Sequence, residues 1–108
     1  MSKESYSLRY LPLFYNDLEE HVMYLTEVLC NPCAANELLD AVEKAILGRL
    51  SAAEAFEQYH SWKERRRPYY RIYVKDYTIY YVVIPDGKTK IMEVRRILHN
   101  LQDRGKYI

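Results

Sequence analysis

Apolar and polar positions change their spacing along the chain, and the changes divide it into elements. Tyr6-Ser7-Leu8-Arg9-Tyr10 alternates, which puts Tyr6, Leu8 and Tyr10 on one face of a short strand. Pro12 follows, a residue suited to a helix's first turn because its missing N–H has no helical partner there. Phe14, Leu18, Val22, Leu25 and Leu29 then recur at spacings of three and four. That stripe predicts an amphipathic helix whose other face carries Asp17, Glu19, Glu20 and Glu27. Asn31-Pro32 reads as an N-cap and first helical residue, and a second stripe runs through Ala35, Leu38, Leu39, Val42 and Ile46 toward Gly48. So short a turn makes the two helices an antiparallel hairpin.

Ser51-Ala52-Ala53-Glu54 matches a capping box and predicts a further short helix through Phe56. A polar, basic stretch from His60 to Pro68 separates it from a region of period two. There Ile72 and Val74 point one way, and Arg71, Tyr73 and Lys75 the other. Lys75-Asp76 predicts a tight turn into Tyr77 to Ile84, which is apolar on both faces and reads as a central strand. Pro85-Asp86-Gly87-Lys88 is a second turn. Lys90 to Leu98 gives a last strand, with Met92, Val94 and Leu98 inward and Glu93, Arg95 and Ile97 outward. The order β-α-α-β-β-β predicts an α+β fold, a helical hairpin packed on one face of a small antiparallel sheet.

At 108 residues the chain allows one domain, spanning 1–108. Apolar residues make up 49% and charged residues 29%, a globular balance. Three glycines leave no glycine-rich phosphate loop, and no apolar run reaches the roughly 20 residues of a membrane span. These features read as a cytoplasmic protein without a membrane partner. Twelve of the fifteen aromatic residues are tyrosine, a ring that fills a thin core while its hydroxyl reaches water or a partner. Net charge is +1, but residues 1–59 carry four basic against ten acidic side chains, net −6, and residues 60–108 carry twelve against five, net +7. The asymmetry points to an anionic partner of the C-terminal half. Cys30 and Cys33 have no second pair and no nearby histidine, which leaves a zinc site short of ligands, and they read as small half-buried side chains at a helix turn. No metal or cofactor is expected.

The element order and its local words resemble the RelE/ParE superfamily of bacterial toxins, the toxic halves of type II toxin–antitoxin modules. The resemblance begins at Tyr6-Ser7-Leu8-Arg9-Tyr10-Leu11-Pro12 and continues in Asp17-Leu18-Glu19-Glu20, Tyr24-Leu25 and Leu38-Leu39-Asp40-Ala41-Val42-Glu43. It is most marked in Tyr70-Arg71-Ile72-Tyr73-Val74, Tyr77-Thr78-Ile79-Tyr80-Tyr81-Val82, and the ending Arg96-Ile97-Leu98-His99 with Asp103. It implies a toxin held inactive by a cognate antitoxin, whose extended or helical segment covers the toxin's sheet or helices. One branch cuts mRNA on the ribosome without a metal, and another poisons DNA gyrase and is not a nuclease.

Metal-free RNA cleavage needs a proton acceptor for the 2′-hydroxyl, a proton donor for the leaving oxygen, and cations around the phosphate. His99 at the end of the last strand and His60 before the basic run are the candidate proton handlers, with Arg71 and Arg96 as catalytic cations. Lys63, Arg65, Arg66, Arg67 and Arg95 are candidate RNA contacts, and Tyr107 resembles the late aromatic residue that some of the mRNA-cleaving toxins stack on a base. In the structural reading of the same residues, Arg96 lies on the face of Met92 and Val94 and pairs with Asp103, and Trp62 caps the core. The +7 half and its histidines favour a ribosome-dependent mRNA endoribonuclease. A gyrase inhibitor and a non-toxic partner-binding protein are the alternatives.

Overall fold

The computed structural model describes residues 6–59, 67–102 and 104–108. Strand β1 covers Tyr6–Tyr10 and helix α1 Pro12–Met23, with a π-helical turn over Tyr24–Val28, and helix α2 covers Pro32–Arg49. A two-residue strand β2 (Gln58–Tyr59), strands β3 (Tyr69–Val74), β4 (Tyr77–Asp86) and β5 (Thr89–His99), and a last helical turn α3 (Arg104–Tyr107) complete the chain. The fold is α+β, two helices on one face of a sheet, in the predicted order. None of the described helices is long and apolar enough to cross a membrane.

Local chemistry explains the helix ends. Pro12 opens α1 and Pro32 opens α2, where Asn31 Oδ1 accepts the Ala34 N–H at 3.1 Å. Between them the Asn31 N–H reaches back to the Leu25 carbonyl at 2.8 Å, and Cys30 takes the left-handed conformation (φ 51°) that usually falls to glycine after a helix. Cys30 and Cys33 are free and exposed, not half-buried, because both lie on the outer side of this turn. The capping-box segment makes only a 3-10 turn over Leu50–Ala52. Its chain is held instead by the Tyr81 hydroxyl, which donates to the Ala53 carbonyl at 2.6 Å.

The sheet order is β1-β5-β4-β3-β2. Strands β3, β4 and β5 form the expected antiparallel meander, but β1 pairs with β5 in parallel, so the sheet is mixed. One residue, Leu11, separates β1 from α1, so the helix continues in the strand's direction, and α2 brings the chain back. The second turn is tighter than Pro85–Lys88: Pro85 and Asp86 stay in β4, opposite Lys90 and Thr89, and Gly87 turns at φ 64°.

A bulge changes the parity of β5. Tyr80 faces Arg96 while Tyr81 faces Val94, so Arg95 has no opposite residue. The alternation predicted for this strand therefore fails beyond Val94. Ile97 joins Met92 and Val94 in the core beneath the helices, whereas Leu98 turns to the opposite face with Tyr80 and Val82. Helix α2 contributes Leu38, Val42 and Ile46 to that core, each fully buried aliphatic chain stabilising the fold by about 1.5–3 kcal/mol. The opposite face is covered in part by the C-terminal segment, whose Ile108 packs with Tyr69, Tyr80, Val82 and Leu98.

Candidate functional site

The predicted site residues divide between the two faces of the sheet. His99 is paired with Tyr77 on the helix side, its ring edge-on to the Tyr77 ring at 5.1 Å. Its Nδ1 accepts the Leu101 N–H at 3.1 Å, and its backbone N–H donates to Gln102 Oε1 at 2.6 Å, so the imidazole is built into the turn that ends β5. His21, from α1, packs on the same tyrosine at 4.7 Å. Burial, followed by the nearby Asp76 and Tyr24, raises the Tyr77 hydroxyl above its ordinary pKa.

The cations gather on the other, open face. Register sets Arg71, Tyr80 and Arg96 in one row across β3, β4 and β5. The Arg71 guanidinium stands 5.5 Å from the Tyr73 ring centroid, and that of Arg96 5.3 Å from Tyr107. Arg95, at the bulge, donates from Nε to Glu93 Oε1 at 2.8 Å and lies 5.9 Å from the Tyr69 ring. Arg67 is half-buried just before β3. His60, Lys63, Arg65, Arg66, Trp62 and Asp103 lie outside the described residues.

Arg96 pairs with Asp17 of α1; Asp103, the partner the sequence suggested, lies outside the described residues. Arg96 is on the face opposite Met92 and Val94, and its Nε and Nη2 form a fork on Asp17 at 2.7 and 2.8 Å. Beyond Tyr10 no strand among the described residues borders β5, and α1 runs along that edge instead. Asp17 Oδ2 accepts the Ile97 N–H at 3.2 Å, while His21, one turn later, donates from Nε2 to the Ile97 carbonyl at 2.8 Å. Asp17 is therefore buried, not part of the solvated helix face. Its hydrogen bond raises the Arg96 pKa against the opposing effect of burial.

A second carboxylate, Glu93, sits between two arginines. Arg9 donates to its Oε2 from both Nε and Nη2, and Arg95 donates to its Oε1. Burial alone would raise the Glu93 carboxyl, but these hydrogen bonds outweigh it and hold the group below the ordinary glutamate value. Sequence reasoning missed Arg9, Asp17, His21, Tyr73 and Glu93 as members of this arrangement. For Asp17 and His21 a signal was present: with Phe14 they follow the helical stripe at steps of three and four.

On the hairpin side lies an apolar groove of about 280 Å³, lined by Tyr10, Phe14, Tyr15 and Leu18 together with Leu39, Val42, Glu43 and Ile46. The chemistry available is thus of two kinds: an open face of guanidinium groups and tyrosine rings, and an apolar groove on the hairpin. No curated protein matches the chain. A family model described as the ParE toxin of type II toxin–antitoxin systems, parDE, matches residues 8–104, nearly the whole chain and every strand and helix named above except the ends. The chain belongs to this ParE toxin family of type II toxin–antitoxin systems.

Proposed function

We propose that this toxin arrests growth by binding DNA gyrase and that it does not cleave RNA. The observation that carries the reading is the separation of His99 from the described arginines with which it would have to act in RNA cleavage. His99 faces the helix side and spends Nδ1 on the Leu101 N–H, whereas Arg71, Arg95 and Arg96 are on the open face. Arg95 and Arg96 are further committed to Glu93 and Asp17. General acid–base catalysis needs the proton-transfer group within about 3 Å of the reacting oxygen, while the cations hold the same phosphate. A sheet between them does not support that arrangement.

The test pairs two assays on the purified chain. Under this reading it inhibits gyrase supercoiling, and primer extension on mRNA from a reconstituted translation reaction shows no new cuts. A folded His99→Ala protein keeps its growth arrest. Codon-spaced cuts that require translation, and that disappear in His99→Ala, would replace the reading with ribosome-dependent mRNA cleavage. Activity in neither assay would leave a partner-binding protein that has lost toxicity. In each case the family implies a cognate antitoxin.

A further inference from the structure

Three guanidinium–tyrosine pairs share the open face: Arg71 with Tyr73, Arg95 with Tyr69, and Arg96 with Tyr107. Arg71 and Arg96 flank Tyr80 in one cross-strand row, two inter-strand steps or about 10 Å apart. Tyr73 is the outermost ring, 63% exposed, and Tyr107 is 38% exposed. Arg9 and Lys106 add positive charge, and the carboxylates that answer it among the paired groups are Glu93 and Asp17. The face therefore combines accessible aromatic planes with a surplus of cations.

Each component suits a different part of one ligand. Aromatic planes stack on bases only where those bases are unpaired, and guanidinium groups take the phosphates between them. A duplex hides its bases and would meet the charges alone. We propose that the open face binds single-stranded nucleic acid, with Tyr73 and Tyr107 stacking on bases and Arg9 and Arg71 contacting phosphates. Arg96, forked on Asp17 and with its side chain only 15% exposed, backs the Tyr107 ring instead of reaching the ligand. This inference does not rest on the gyrase reading, because binding is measured with no other protein present.

The experiment is fluorescence anisotropy of a short fluorescein-labelled oligothymidylate titrated with the full chain across a range of salt. Binding is expected, weakening with salt as counterion release requires. Tyr73→Ala should weaken it about tenfold, as loss of one base stack does, while Tyr73→Phe leaves it unchanged. Arg71→Ala should reduce the slope of log affinity against log salt by about 0.7, the contribution of one phosphate contact on a single strand. Circular dichroism checks that each variant is folded. Absence of binding at low salt would overturn the proposal. So would equal affinity for a duplex, an unaltered Tyr73→Ala affinity, or equal competition by polyglutamate, which would assign the face to an acidic protein.

Discussion

Single side chains carry much of this fold's specificity. Asp17 holds the Arg96 guanidinium and the Ile97 N–H at once, so truncating it leaves a partly buried cation and a buried donor without their acceptor. Asp17→Ala should lower stability by about 3 kcal/mol in urea denaturation, the range seen when one member of a buried pair is removed. Asp17→Asn keeps an acceptor and should lose less. Glu93 makes a pH-dependent contribution, because Arg9 and Arg95 keep its carboxyl ionised below the ordinary glutamate value. A depressed carboxylate stabilises the folded state above its unfolded pKa of about 4.3, and that stability disappears as pH falls through the lower folded value. The unfolding free energies of the native chain and Glu93→Gln should therefore differ at pH 7 and converge in acid. The role of Glu93 was not legible from sequence, and that of Asp17 showed only in its place on the helical stripe with Phe14. Asp17 was assigned to the solvated stripe because three further acids, Glu19, Glu20 and Glu27, define that stripe, and its partner lies 79 residues away.

At the level of elements, what depends on neighbours in sequence was readable. Pro12, Asn31-Pro32, the two helical stripes and the switch to period two each act within one turn or one strand, and the helices and strands they predict are present, whereas the capping box at Ser51 yields only a 3-10 turn. Pairing partners were not readable. The parallel placement of β1 depends on the direction in which α1 leaves Leu11, and the Arg95 bulge arises only when β5 is laid against Tyr80 and Tyr81. One unpaired residue was enough to send Ile97 inward and Leu98 outward, and to move Arg96 onto the cationic face. The β4–β5 hairpin gives a direct test of local backbone chemistry. Gly87 adopts φ 64° with open space around its Cβ position, so an added methyl meets no atom and the cost is conformational. Gly87→Ala should destabilise by about 1 kcal/mol, which in a domain of this size lowers the thermal midpoint by about 4–8 °C.

Across the whole molecule, tyrosine sets the outer limits of stability. Tyr10, Tyr77 and Tyr81 all have hydroxyls raised above 10.0, with burial as the largest cause in each. A raised folded pKa gives stability that is full below the unfolded value near 10 and is lost as pH climbs through the folded one. Unfolding should therefore steepen above pH 10, and the share of phenolate absorbance that Tyr10→Phe, Tyr77→Phe and Tyr81→Phe remove should rise together with loss of circular dichroism rather than before it. The two charge halves seen in sequence also acquire a spatial meaning. Seven of the ten acidic residues of the N-terminal half lie on the hairpin, while Arg9, Arg71, Arg95 and Arg96 line the open face, so the molecule offers differently charged surfaces to different partners. The helix that runs beside β5 has one more effect. An uncovered strand is a template on which other chains can assemble into fibrils. With the amide and carbonyl of Ile97 already occupied by a carboxylate and an imidazole, an incoming strand finds no continuous ladder there, and freshly made toxin is protected from templated aggregation along that margin.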